Sequence, residues 1–521
     1  MKNPEQLTEI KFPSSISDIE RLITPEGSLY ASTGEAYQYM LFGRDSLEAA
    51  DDLLEVDPEL SLKVIDSLAK LQGIDCNEQT AEEFGKIPHQ HMQLYVDGVR
   101  IPESAEKQLH RLSQIWGGTD EGFTYYGSLD ATPLFARLVA RHGLIHGTDF
   151  LQEEIAHTSG EILSRMESYR RALHWISDHL DSSELSLLEF RRLSEDHIII
   201  QSWRDSGSSY VHEDGTQVNL DGFIAPIEVQ GYAYDALSLS GRLLPHFDVP
   251  VEEIDRWTGH AKQLQQNTLD AFWLEDRGDF AMALDRDPGN DWQKRPVTTP
   301  SSSQAALLDS RILIDLPESD RMHYVGGIVN RMFDPDFMTE VGIRCRAASA
   351  ADLVPFADYH GSWAVWTKEN YDFIKGLRRQ GLGELADDVS IRLLNMANIS
   401  GENYEFLYVN PEGEVDYMPK RYTPGMEVDE IIPATNIPDA GQAWTASALL
   451  AIKRQLEPRN RLESNEWSKG LEATVLDKLP RADLYQSRNE IEEKKQVVKQ
   501  FAIDVEAGIN GDREWNPGWW Q

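Results

Sequence analysis

The strongest constraint on this chain is how often one kind of segment recurs. Residues 58–71 place Leu60, Leu62, Val64, Ile65, Leu68 and Leu71 at helical spacing. Comparable segments are read at 45–54, 132–142, 150–179, 224–244, 251–273, 303–314, 321–332, 362–379, 384–397, 442–454 and 489–505. Pro133 opens one of them, where proline suits a first turn. Strand-like pieces are few and short, at 195–201, 280–285 and 405–409. Roughly a dozen helices, with strands only in connections, predict an all-α fold. Length alone would suggest two or more domains, yet no Ser- or Pro-rich linker divides the 521 residues. One large helical toroid, of the (α/α)6 kind with short strands in its loops, accounts for the pattern better. The expected organisation is an N-terminal segment over 1–40, a barrel over 41–457 and charge-richer helices over 458–521, packed on or completing it.

The charge bounds the partners. The chain has 88 Asp+Glu against 49 Lys+Arg, a formal net charge of −39. Nucleic acid and anionic membranes need a basic footprint, so neither is expected. The acid excess reads first as solubility, and more sharply as preference for a neutral or cationic substrate. No run of about 18 apolar residues predicts a membrane span, and residues 1–13 lack an apolar signal core. Cys76 and Cys345 are the only cysteines and make no disulfide framework. A reducing cytoplasm is the expected location, and a monomer or homodimer the expected state.

The loops carry the chemistry. Trp203-Arg204-Asp205 sets a carboxylate beside an indole and a guanidinium, and Tyr404-Glu405-Phe406 sets another between aromatics. Two such carboxyls are what cleavage of a glycosidic bond needs: one protonates the leaving oxygen, the other activates water or attacks the sugar. Aromatic walls raise a carboxyl's pKa by desolvation and stack on sugar rings. Three further clusters accompany them: Phe42-Gly43-Arg44-Asp45, Tyr125-Tyr126-Gly127-Ser128-Leu129-Asp130, and residues 363–370. Each has a plainer reading. Arg44-Asp45 would be a capping pair at a helix start, Asp130 a helix N-cap, Asp205 a turn residue before Gly207, and Glu405 a surface position. His89-Gln90-His91 lacks the i, i+4 spacing of a helical zinc pair, so no catalytic metal or cofactor is expected. Asp214, Asp221 and Glu228 are further acids near the Trp203-Arg204-Asp205 motif.

Taken in order, these blocks resemble a known clan. Gly-Arg-Asp, Tyr-Gly-Ser-x-Asp-Ala-Thr-Pro, Trp-x-Asp-Ser, Glu-Val-Gln-Gly-Tyr, Tyr-His-Gly-Ser-x-x-Trp and Gln-Ala-Trp, between Phe42 and Trp444, are similar to the (α/α)6-barrel α-glycosidases. That clan includes the glucosidase half of glycogen debranching enzymes and glycoside hydrolase family 63. The resemblance implies Asp205 as general acid and Glu405 as general base in an inverting reaction, with carboxyls about 6.5–9.5 Å apart. It implies sugar contacts from Phe42, Arg44, Asp45, Tyr126, Asp130, Trp203, Arg204, Gln230, His360, Trp363, Trp366, Glu369 and Trp444. The implied substrate is a small or terminal α-glucoside, a glucosyl- or mannosylglycerate being the alternative. A non-catalytic carbohydrate-binding toroid is the rival from another class. The chain departs from the debranching pattern at Thr367 and Glu369, where Pro and Asp are usual. Around Glu405 it is nearer the family 63 style.

Overall fold

The structure, a computed structural model, describes residues 16–34, 37, 39–289, 292–353, 358–415, 438–483 and 491–498. Its helices pair into hairpins around a ring. They are α1 Gly43–Asp52, α2 Pro58–Ala69, α3 Ala131–His146, α4 Arg165–Ser182, α5 Ile227–Leu243, α6 Val251–Phe272, α7 Glu318–Met332, α8 Thr367–Arg379, α9 Gly383–Ser400, α10 Ala443–Lys453 and α11 Glu466–Leu476. The inner layer is α1, α3, α5, α8 and α10, with a 3-10 segment, Ser302–Leu308, standing between α5 and α8. Each inner element packs on the next, and α10 packs back on α1 to close the ring. The remaining helices form the outer layer.

Burial follows from this arrangement. Most residues of α3 and α5, and nearly all of α8, are buried, as an inner position requires. Outer α6 buries only a stripe, Trp257, Ala261, Leu264, Thr268, Leu269 and Phe272, and leaves Glu252 and Glu253 outside. Truncating Trp257, which is fully buried, to alanine would cost about 3–5 kcal/mol. Helix starts are set locally. Asp57 accepts the Leu60 N–H ahead of Pro58, and Ser164 accepts the Glu167 N–H.

Short antiparallel strands fix the connections. β1 (Leu41–Phe42) pairs β2 (Gln90–Gln93), which pairs β3 (Gly122–Tyr125), with Phe42 opposite Gln90 and Gln90 opposite Tyr125. β4 (Ala364–Trp366) pairs β5 (Phe406–Tyr408), with Trp366 opposite Phe406.

Several segments differ from the sequence expectation. Residues 150–179 are not one helix. A 3-10 turn, Asp149–Gln152, leads into a hairpin, Glu154–Ala156 with Ile162–Ser164, before α4 starts. Ile155 and Leu163 alternate inward there, and the Thr158-Ser159-Gly160 turn breaks any helix, Gly160 having φ +90°. Residues 303–314 split because Ser301 and Ser310 each accept a nearby N–H and restart the chain. Residues 195–201 form no strand: the Ile198 N–H goes to the Tyr125 hydroxyl instead of a ladder. Of 489–505, residues 491–498 are helical, and the rest lies outside the described residues. The helix Glu103–Trp116 is not among the helices expected from sequence, whereas α11 falls within the C-terminal helices expected over 458–521. Among the described residues no helix is long and apolar enough to cross a membrane. Cys76 is exposed and Cys345 buried, both free.

Candidate active site

One mouth of the ring holds a cavity lined by Ala31, Tyr37, Phe42, Arg44, Asp45, Gln90, Ile198, Trp203, Asp205, Tyr359, His360, Trp366, Glu405, Gln442 and Trp444. Three inner helices start there. Arg44 and Asp45 lie in the first turn of α1, Trp366 is the residue before α8, and Gln442 the residue before α10. Helix N-termini carry partial positive charge, which suits the carboxylates gathered around them. The entry to α1 depends on Gly43, since a Cβ there would lie 2.1 Å from the Pro88 carbonyl oxygen. That close approach lets β1 deliver Phe42 and Arg44 to the cavity.

Asp205 and Glu405 both face this cavity. Asp205 accepts a 2.7 Å hydrogen bond from the Tyr359 hydroxyl, and its other oxygen lies 3.7 Å from Arg44 Nη2. Burial raises its pKa, and Arg44 and Tyr359 oppose the rise. Glu405 sits just ahead of β5, whose pairing with β4 brings it beside the start of α8, where its carbonyl accepts the Thr367 N–H at 3.0 Å. Its two carboxyl oxygens accept the Asp439 N–H and the Gln442 amide, each at 3.2 Å. Burial pushes Glu405 well above the usual carboxylate range, and Asp439, Asp45 and Asp205 add to the push. Asp439 itself is pushed up to about 6 by burial, eased by a hydrogen bond from Ser32.

Arg44 organises the acidic wall. It donates to Asp130 at 3.1 Å and lies 3.7 Å from both Asp45 and Asp205. Burial disfavours its charge, yet these three carboxylates raise its pKa. Asp45 is pushed up to about 7 by burial, with Arg44 opposing and Asp205 and Asp130 adding. The aromatic wall is a contact chain. Trp203 meets Trp366 edge-on at 5.7 Å, His360 stacks on Trp366 at 5.1 Å, and Trp444 meets Trp366 at 6.0 Å. Burial, with Arg204, Arg44 and Arg346 nearby, holds His360 well below its ordinary pKa, so it is neutral.

Six polar atoms of cavity-lining residues are buried without a hydrogen-bond partner: Arg44 Nε, Asp45 Oδ2, Gln90 Oε1, His360 Nε2, Gln442 Oε1 and Trp444 Nε1. Each unmet group costs about 1–3 kcal/mol.

The structure brings nine of the sequence-nominated residues to the cavity: Phe42, Arg44, Asp45, Trp203, Asp205, His360, Trp366, Glu405 and Trp444. It does not bring the others to its wall. Tyr126 donates to the Leu71 carbonyl at 2.7 Å, and Gln230 is bonded to the backbone of Leu188 and Pro226. Arg204 pairs with Glu369 and donates to Ser302 and Ser303, behind Trp203. Trp363 lies under the Arg344 guanidinium. Asp130 occupies the cap position of α3 but makes no cap bond. Ser128 takes the Ala131 N–H, and the Asp130 carboxylate turns to Arg44. Tyr37, Gln90, Ile198, Tyr359 and Gln442 were missed, although Tyr359 and Gln442 stand inside the Tyr-His-Gly-Ser and Gln-Ala-Trp blocks. Among the described residues no cluster of three or more His, Cys, Asp or Glu could hold a metal. Asp214 binds Thr216, while Glu228 is buried beside Tyr210.

No protein-family model matches the chain, and no curated protein matches it in sequence. Among solved structures, a GH63 mannosylglycerate hydrolase from Thermus thermophilus, in complex with glucose, aligns with 15% identity. The alignment covers 85% of this chain and 98% of that one, with a TM-score of 0.50. A wild-type glycosidase aligns with 12% identity over 85% of this chain and 95% of that one, with a TM-score of 0.46. With the closed ring of helical hairpins, the first likeness shows the fold, an all-α (α/α)6 toroid.

Proposed function

We propose that this protein is an inverting α-glycosidase that removes a single terminal sugar, glucose being the first candidate. The observation that carries the reading is one cavity lined by polar side chains, two of them the carboxyls of Asp205 and Glu405, and by an indole wall. A pyranose supplies hydroxyls for the polar atoms and an apolar face for Trp203, Trp366 or Trp444.

In this reading Asp205 protonates the leaving oxygen. Burial supports the protonated form, and Tyr359 fixes the carboxyl's direction. Glu405 takes a proton from the attacking water, steered by the Asp439 N–H and the Gln442 amide. Attack from the side opposite the leaving group inverts the anomeric centre. Arg44 and Asp45 hold sugar hydroxyls. Arg44 is the one cation among the described lining residues, and three carboxylates engage it. Among the described lining residues no cation is left for a glycerate carboxylate, which supports an uncharged aglycone over the mannosylglycerate that the Thermus hydrolase is named for.

One observation supports a second reading, with the roles exchanged. Arg44 and Tyr359 favour the anion of Asp205, whereas Asp439 disfavours that of Glu405. Glu405 would then give the proton and Asp205 would activate water. A panel of α-glucosides and α-mannosides, with proton NMR of the first anomer released, tests the main reading. The β-anomer is expected from an α-linked substrate; the α-anomer would mean retention. α-Glucosyl fluoride assigns the roles. The acid's amide variant keeps most activity on fluoride yet loses about 10²–10⁴-fold on a poor leaving group, while the base's variant loses on both. Binding of sugars with no cleavage of any of them would make the toroid a scaffold.

A further inference from the structure

Asp439, whose N–H and charge both act on Glu405, is itself held by a strap from the N-terminal side of the chain. Residues 28–34 cross to the segment 438–443 and are fastened to it at three points. The Ala443 N–H donates to the Ala31 carbonyl at 2.8 Å, the Thr33 N–H to the Gly441 carbonyl at 3.4 Å, and the Ser32 hydroxyl to Asp439 Oδ2. The fit is close enough that a Cβ on Gly34 would lie 1.8 Å from Asp439 Oδ1. The same segment grips Glu405. The Glu405 N–H donates to the Asp439 carbonyl at 3.1 Å, the Asp439 N–H returns to Glu405 Oε1 at 3.2 Å, and the Gln442 amide takes Oε2 at 3.2 Å. Strap, Asp439 and Glu405 thus form one bonded chain.

We propose that Asp439, clasped by Ser32 of the N-terminal strap, is a positioning residue that fixes the Glu405 carboxyl and sets how tightly it holds its proton. The backbone bonds fix the direction of Glu405. The Asp439 carboxylate, beside it in a buried site, makes a second negative charge there costly, as in paired carboxylates generally. Other groups face Glu405: Asp45 from α1, Asp205 from its loop, Tyr37 from beyond the strap and Tyr408 from β5. Asp439 is the largest charged contributor among them. Ser32 acts one step back: its hydroxyl stabilises the Asp439 anion and so keeps the repulsion in place.

The inference rests on Glu405 being a reacting carboxyl, and two measurements separate it from that reading. The first is 13C titration of the Glu405 carboxyl in glutamate-labelled protein, assigned by difference against Glu405→Gln. In Asp439→Asn the backbone N–H remains and the charge is gone, so the midpoint should fall by about one pH unit. In Ser32→Ala, Asp439 holds its own proton more tightly, so the midpoint should fall by less. The second is the pH profile of kcat/KM on α-glucosyl fluoride, whose acidic limb should move down with the midpoint. A moved midpoint with no fluoride hydrolysis by the wild-type protein would sustain the positioning role and sink the glycosidase. An unmoved midpoint in folded Asp439→Asn overturns the proposal. If that variant does not fold, Ser32→Ala decides: a lower midpoint supports the clasp, an unchanged one removes it.

Discussion

Replacing Asp45 by asparagine should make the protein more stable at pH 8 and less active, and the size of the gain follows from its surroundings. Asp45 is 4% exposed, and burial pushes its pKa from 3.8 up to about 7. The native state therefore holds a proton that the unfolded chain releases above pH 3.8. Stability from this group is full below that pH and is lost as pH rises towards 7. Each pH unit of difference is worth about 1.4 kcal/mol, so the loss is roughly 1.6 kcal/mol by pH 5 and about 4 kcal/mol by pH 8. Asparagine does not titrate and escapes this loss. The 3.7 Å contact with Arg44 needs no separate subtraction, because its downward pull is already contained in the value of about 7. The gain should be roughly 1.6 kcal/mol at pH 5 and about 4 kcal/mol at pH 8, read from urea unfolding at both pH values. If Asp45 grips a sugar hydroxyl, a charge-assisted bond of about 1.5–3 kcal/mol is lost, a drop of about 10- to 150-fold in kcat/KM. A variant that is less stable at pH 8 and keeps its specific activity would refute both halves, and the pair with Arg44 would be structural.

Three further outcomes follow from the same contacts. Glu369→Gln leaves Arg204 buried without its counter-ion and should cost about 3–5 kcal/mol in urea unfolding, whereas adding Arg204→Met should recover much of it. Gln442→Leu removes the amide from Glu405 Oε2 and should lower kcat/KM by about 10- to 150-fold with a small change in melting temperature. Because the chain carries −39 charges, which repel one another in the compact state, its melting temperature should rise between about 0.1 M and 1 M KCl; a flat response would locate the repulsion in already screened pairs.

What the sequence revealed depended on the range of the interaction. Helical spacing is a local signal, so 224–244 and 251–273 anticipate α5 and α6 to within a few residues. The hairpin ahead of α4 escaped because its apolar residues also fit a helix, and only the Gly160 turn decides between them. Carboxylates beside aromatics were equally visible, and Asp205 and Glu405, 200 residues apart in the chain (405 − 205), meet at one cavity. Long-range partners were not visible. Nothing near Arg204 in the sequence indicates Glu369, and nothing near Asp130 indicates Arg44, so two ion-paired groups read as sugar contacts or a cap. Asp439 was missed for the same reason, since its meaning lies in Ser32 and Glu405.

The axis of the ring explains why the cavity's own carboxylates dominate its field. Beneath Trp203, whose ring lies 5.4 Å from Lys368 Nζ, runs a buried ionic column. Lys368 pairs with Glu48 and Asp372, Lys375 with Asp372 and Asp52, Arg137 and Arg141 with Asp51 and Asp309, Arg141 also with Asp235, and Arg379 with Asp309. Five cations thus face six carboxylates. Burial pushes Asp52 up to about 7, so at neutral pH it carries much of the missing proton and the column is close to neutral. Such pairs add little net stability compared with apolar packing, but they fill the axis without projecting charge upward. The site above is left with one guanidinium, held by Asp45, Asp130 and Asp205, and with Glu405 and Asp439 beyond its reach. A Glu405 carboxyl that holds a proton to unusually high pH is the direct consequence, and a carboxyl with that hold on a proton is what taking one from water, or in the exchanged roles giving one to a leaving oxygen, requires.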